Sequence, residues 1–174
     1  KKDSIKFWDK YESELCIGRN TETLIPLIEN KFGITFPPGY SLLIDGFIKR
    51  FEANKSIFPA IDKIHQHCQI GLLTNMYPQM LIEIEKHNLL PKISWDVVID
   101  SSVVKVQKPD PPIFELAEQK ANITGKEILF VENSSKNINA AKKIGWQTFL
   151  YDSSNPIESN WKLLQLIFPA LRVV

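Results

Sequence analysis

The chain has 174 residues, enough for one domain or a core with a small cap, and its 44% hydrophobic and 24% charged content is ordinary for a globular protein. A formal net charge of +1 leaves no electrostatic basis for binding nucleic acid or an anionic membrane. No apolar run is long enough to span a bilayer, the charged start has no signal-peptide pattern, and Cys16 and Cys68 read as buried free thiols of a reducing, cytoplasmic setting.

The opening third reads as helical. Over 6–15, Phe7, Trp8, Tyr11 and Leu15 share one helical face, and Gly18 is the expected stop. Asn20 can cap a second helix that buries Leu24, Leu27 and Ile28 and ends at Gly33. Pro26 lies inside it and predicts either a kink or a displaced start. Pro37-Pro38-Gly39 is a turn, and a third helix is expected over 40–51 with Leu43, Ile44, Phe47 and Phe51 inward.

From Ser56 onward helices and strands alternate. Ser56 is the expected cap of a helix over 59–67, followed by a short apolar strand over 69–73 that stops at Thr74-Asn75. A helix over 80–89, a strand over 95–99 and a helix over 111–120 come next, the last with two prolines in its first turn. Residues 128–131 form a four-residue apolar run, the pattern of a strand buried on both faces. It ends at Glu132-Asn133, and the spacing then turns helical through Ile138, Ala141 and Ile144. A strand over 146–151 and a helix over 156–167 close the chain. The alternation predicts an α/β fold, a three-layer Rossmann-like parallel sheet with helices on both faces and right-handed crossovers.

Three polar clusters fall just beyond strands: Thr74-Asn75, the stretch from Lys105 to Lys108, and Glu132-Asn133. In a parallel sheet such points share one edge, where ligands bind. A hydroxyl, an amide, a cation and a carboxylate suit a phosphate and a hard divalent ion. The lysine would neutralise developing negative charge, and the carboxylate would hold Mg²⁺, which prefers oxygen ligands. Taken singly, each group has a plainer reading: Thr74 as a strand-end hydroxyl bonding backbone, Asn75 as a turn residue, Lys108 as a surface lysine, and Glu132 as a helix-start cap. Trp146 is read as core, and His65, His67 and His87 are given no metal role.

The arrangement resembles the haloacid dehalogenase superfamily, mostly Mg²⁺-dependent phosphohydrolases, over about two-thirds of the chain from Ser56 onward. Gly71-Leu72-Leu73-Thr74-Asn75 looks like its second motif, the stretch KPDPPIFELA over 108–117 like its third, and FVENSSKNINAAKKIGWQTF over 130–149 like its fourth. Residues 1–54 are similar to its small helical cap, and 55–174 to its α/β core. The resemblance implies that Thr74, Asn75 and Lys108 hold the phosphoryl group, with Lys108 also catalytic, and that Glu132 and Asn133 hold Mg²⁺. It implies a small phosphorylated metabolite as substrate.

Two departures stand out. The family's first motif, an apolar strand ending Asp-x-Asp-x-Thr/Val, has no counterpart. Leu43-Ile44-Asp45-Gly46 lacks the second aspartate and sits in a helical pattern, and Asp100 is followed by two serines. In the family the first of those aspartates attacks phosphorus to give an aspartyl-phosphate. The chain, which starts at Lys1 rather than Met, is therefore read as N-terminally truncated and inactive as it stands. The missing strand belongs between those ending at Thr74 and Glu132, so its absence is expected to leave a gap or force those strands together, with no other segment of the chain pairing there. The second departure is Asn133, which stands where the fourth motif often has a second acid and should weaken metal binding. The rival readings are a degenerate, non-catalytic binding domain and a metal-independent 2-haloacid dehalogenase, against which Glu132 counts.

Overall fold

A computed structural model describes residues 2–169. The elements run α1 (Lys2–Cys16), α2 (Ile25–Phe32), α3 (Phe58–His65), β1 (Gly71–Thr74), α4 (Met80–Lys86), β2 (Val97–Asp100), α5 (Ser101–Val104), α6 (Pro111–Ala121), β3 (Leu129–Glu132), α7 (Ser135–Lys143), β4 (Gln147–Leu150) and α8 (Pro156–Ile167). The mixed α/β order is the one expected. Among the described residues the strands form two separate pairs, β1 with β2 and β3 with β4, and no fifth strand joins β1 to β3. β3 and β4 are parallel, in the register Phe130 to Thr148 and Glu132 to Leu150. No helix among the described residues is long and apolar enough to cross a membrane.

The chain divides into two compact units. The first comprises the residues up to Ala53 together with Leu73–Leu90 and Ile99–Gln107. Its core is aromatic: Phe7 packs against Tyr11 at 4.9 Å and Phe32 at 5.7 Å between ring centroids, and Phe47 against Trp8 at 5.3 Å and Tyr77 at 5.4 Å. Burial, with Cys16 and Glu12 adding to it, pushes the Tyr77 phenol up to about 12. Asn20 caps as expected, but the turn it caps is the 3₁₀ segment Thr21–Leu24. α2 begins only at Ile25, with Pro26 in its first turn, so the proline displaces the start and makes no kink. The helix expected over 40–51 is instead a π-helical turn, Leu42–Phe47, followed by a 3₁₀ turn, Ile48–Arg50. Its start is held from outside. The Glu22 carboxylate accepts the Leu42 and Leu43 backbone N–H groups at 2.9 and 3.1 Å and the Ser41 hydroxyl at 2.8 Å. A remote acid thus satisfies donors that an intrahelical ladder leaves open.

The second unit comprises Asn54–Leu72, Pro91–Val98 and the residues from Lys108 onward. Phe114, Phe130 and Trp146 form its aromatic centre, with ring centroids 5.2–5.9 Å apart and nearly perpendicular planes. Trp146 is core, as expected, and its indole N–H donates to Glu118 at 2.7 Å. Ser56 does not cap α3, whose N-cap is Ile57. It belongs to a closed ring of four side chains instead. Asn54 Nδ2 donates to the Tyr151 hydroxyl at 2.9 Å, which donates to Asn160 Oδ1 at 2.8 Å. Asn160 Nδ2 then donates to Ser56 Oγ at 3.1 Å, and Ser56 Oγ to Asn54 Oδ1 at 2.6 Å. Neither cysteine forms a disulfide, and Cys16 is buried, but Cys68 is exposed, because the strand starts only at Gly71 and leaves Cys68 in the preceding turn.

Candidate active site

β3 ends in the charged centre of the second unit. Alternation along a strand puts Phe130 and Glu132 on one face. Phe130 is buried in the aromatic cluster, and Glu132 lies one step beyond it. The Lys108 ammonium sits 5.4 Å from the Phe130 ring centroid and 2.7 Å from Glu132 Oε2. Both side chains are about nine-tenths buried, with exposures of 9% and 10%. The plain reading of Lys108 as a solvated surface lysine does not hold: its ammonium lies over an aromatic face and is paired with a carboxylate.

Glu132 has three further partners. Its Oε1 accepts the backbone N–H groups of Asn133 at 2.9 Å and Ser134 at 3.0 Å. Its Oε2 also accepts the Asn137 side-chain amide at 3.2 Å. The acid therefore closes the turn into α7, and Asn137 pins the loop to it. Ser134, the N-cap residue of α7, makes no side-chain capping bond. Asn133 is exposed and gives Glu132 its main-chain N–H. Burial works to raise the Glu132 carboxyl, but the Lys108 ammonium, the Ser134 N–H and the Asn137 amide outweigh it and hold the group below its ordinary range.

Thr74 and Asn75 belong to the first unit. The Thr74 hydroxyl donates to the Ile99 carbonyl at 3.2 Å, across the pair of strands β1 and β2. The backbone just after is latched by Ser101: Met76 N–H donates to Ser101 Oγ at 3.0 Å, and Ser101 Oγ donates back to the Met76 carbonyl at 3.3 Å. Ser101 is fully buried, and Asp100 caps the short helix it starts by accepting from Ser102 N and Oγ, both at 2.8 Å. Sequence reasoning missed Ser101 and α5. The signal was present, since Asp followed by two serines is an N-cap pattern. The competing cation Lys105 is exposed, and its ammonium donates to the Ser102 carbonyl at 2.6 Å.

The structure thus brings Lys108, Glu132, Asn137 and the Asn133 and Ser134 N–H groups together, and groups Thr74 with Ile99. The buried lysine-carboxylate pair lies at the carboxyl end of a parallel strand, where α/β proteins bind their ligands. The chain belongs to the haloacid dehalogenase-like hydrolase family, whose model matches residues 43–145, more than half of the sequence. It is 31% identical over 84 residues to mouse acyl-CoA dehydrogenase family member 10, a stretch covering 48% of this chain and 8% of that protein. The chain spans about a third or less of the length of the curated relatives it matches.

Two solved structures share the fold. One is a HAD family enzyme of Bacteroides thetaiotaomicron in complex with magnesium and inorganic phosphate, with a TM-score of 0.69 and 18% identity over 87% of this chain and 78% of that one. The other is the L-2-haloacid dehalogenase of Xanthobacter autotrophicus with chloropropionic acid covalently bound, with a TM-score of 0.65 and 17% identity over 96% of this chain and 70% of that one.

Glu132 supplies hard oxygen donors of the kind Mg²⁺ takes, and Asn133 offers an amide beside it. Among the described residues no group of three His, Cys, Asp or Glu side chains converges. The protein donors amount to one carboxylate whose oxygens already accept four N–H groups, so a Mg²⁺ held there would displace some of them and take the rest of its shell from water and phosphate oxygens.

Proposed function

We propose that Lys108 and Glu132 are the charged half of a Mg²⁺-dependent phosphomonoesterase site that takes small phosphorylated metabolites in a cytoplasmic setting. The observation that carries this reading is their buried 2.7 Å pair at the end of β3, beside a ring that keeps one side of the ammonium dry. Lys108 offsets the negative charge of a phosphoryl group in the transition state. Thr74 and Asn75 are assigned contacts to phosphate oxygens. Asn137 and the N–H groups of Asn133 and Ser134 keep Glu132 ionised and aimed. Glu132, with Asn133, holds Mg²⁺, which when bound polarises phosphoryl oxygens.

Phosphoryl transfer by this family's route also needs an aspartate nucleophile, and the sequence contains no Asp-x-Asp strand end. The chain alone is therefore expected to leave p-nitrophenyl phosphate intact with Mg²⁺, and an N-terminally extended version carrying that motif is expected to hydrolyse it. Turnover by the chain alone overturns the assignment. An extended protein that still binds phosphate without turnover points to a degenerate binding domain.

One feature favours a second reading. The two oxygens of Glu132 already accept four N–H donors, which is the full acceptor capacity of a carboxylate. An acid so occupied can serve as the anchor for Lys108 in a metal-independent 2-haloacid dehalogenase. Halide release from 2-chloropropionate by the extended protein in the presence of EDTA selects that reading.

A further inference from the structure

The helix α8 has an apolar stripe that the described residues leave bare. Its inner face is filled by buried Ser159, Asn160 and Leu163. Ile157 and Trp161, one turn apart, are 76% and 54% exposed, and Leu164 continues the row half-buried. Beside this row Glu158 and Lys162 form an exposed ion pair at 2.7 Å. Single exposed apolar residues are ordinary, but an isoleucine and a tryptophan adjacent on one helix make a contiguous patch, the usual mark of a contact surface.

The order of these groups is self-complementary. Ile157 and Leu164 lie equally far on either side of the point between Asn160 and Trp161, and Glu158 and Lys162 equally far on either side of Asn160. A second copy of α8 laid antiparallel therefore sets Ile157 against Leu164 and Leu164 against Ile157. It brings the two Trp161 rings together near the axis and puts each Glu158 beside the Lys162 of the other copy. This is the reciprocal pattern of a two-fold contact, in which residue i meets j and j meets i. The charges complement each other as well as the apolar groups, and like charges never face each other. We propose that α8 is the contact surface of a homodimer and that a second copy of this chain is its occupant. The proposal is independent of the reaction the protein catalyses.

Sedimentation or light scattering across a concentration series at low salt tests it. The expected result is a concentration-dependent rise from the 20.0 kDa chain mass to twice that value. Trp161→Glu and Ile157→Glu, both at exposed positions, are expected to keep the far-UV circular dichroism of the parent. They should raise the dimer dissociation constant by about 30-fold or more. Glu158→Lys sets two lysines against each other and is expected to weaken the dimer about tenfold. Mixing Glu158→Lys chains with Lys162→Glu chains restores opposite charges only across the contact, and is expected to recover the affinity while each chain's own intrahelical pair stays like-charged, which a change of local helix stability could not do. A chain that stays monomeric at every concentration overturns the proposal, whether the stripe is bare or covered by another part of the chain. So does a dimer indifferent to Trp161→Glu and Ile157→Glu.

Discussion

The ends of β1 and β3 meet the same need by opposite means. Both strands stop at a polar side chain whose groups would otherwise be left without partners. At the end of β1 the answer is neutral: Thr74 donates to the Ile99 carbonyl, and Ser101 exchanges hydrogen bonds with the Met76 backbone. At the end of β3 the answer is ionic: Glu132 is tied to Lys108, which lies 24 positions earlier in the chain. The neutral end depends on groups that keep their protonation from pH 3 to 9 on their ordinary values. The ionic end depends on a distant residue and on pH, and for that reason can respond to a bound anion or cation.

The largest break comes from Lys108→Met, which keeps the stem and removes the charge. It leaves a buried carboxylate without its counter-ion and is expected to cost about 4 kcal/mol in urea unfolding at neutral pH. Lys108→Met with Glu132→Gln should recover much of that loss, because no uncompensated charge remains. A loss below about 1 kcal/mol in the single variant, the size of an exposed pair, would sink the buried-pair reading.

The same pair sets a pH dependence. The Glu132 carboxyl is held below its ordinary value of 4.5, so its contribution is complete above that value and is lost as pH falls through the lower, folded-state value. Stability measured from pH 6 downward should therefore drop more steeply in the parent than in the double variant, which lacks the ionisable pair. Parallel curves would remove Glu132 as the source.

Smaller effects belong to the neutral end. Ser101→Ala removes, at a fully buried position, the acceptor of the half-buried Met76 N–H and should cost about 2 kcal/mol, with no change in the pH profile. Thr74→Val removes one hydrogen bond of 3.2 Å at a half-buried position and should cost about 1 kcal/mol. A Thr74→Val variant that steepens the acid transition would show that the two strand ends are not separate in kind.

The parts that could be read in the sequence are those where local pattern decides the element. The run Ile128-Leu129-Phe130-Val131 has no polar residue on either face and reads as a strand or helix segment, and β3 lies within a position of it, but burial on both faces is not met, since only Phe130 is buried and Val131 is exposed. That no fifth strand among the described residues joins β1 to β3 was also legible, since no spare apolar segment was available, whereas the sequence left open whether the two strands stay apart or close up. Elsewhere a distant partner decided the matter. The π-helical turn Leu42–Phe47 follows from the carboxylate of Glu22, some 20 residues earlier, which holds its first N–H groups. α5 was hidden because Val103 and Val104 after two serines look like a continuing strand, and only the cap by Asp100 reveals the helix. The pairing of Lys108 with Glu132 is a tertiary event with no signature in either residue's neighbours. The family resemblance placed both residues at the site, and the geometry added that they meet.

The ring formed by Asn54, Tyr151, Asn160 and Ser56 has a consequence of its own. Each member both donates and accepts within one cycle, so the four bonds polarise one another around it. Its energy therefore belongs to no single side chain. Opening the ring at Tyr151 with phenylalanine should forfeit most of the mutual reinforcement at once, so that a later Ser56→Ala adds less than it does alone. Such sub-additivity, about 0.5 kcal/mol or more in a double-mutant cycle, would mark the cycle as one structural object joining segments 97 residues apart in the chain.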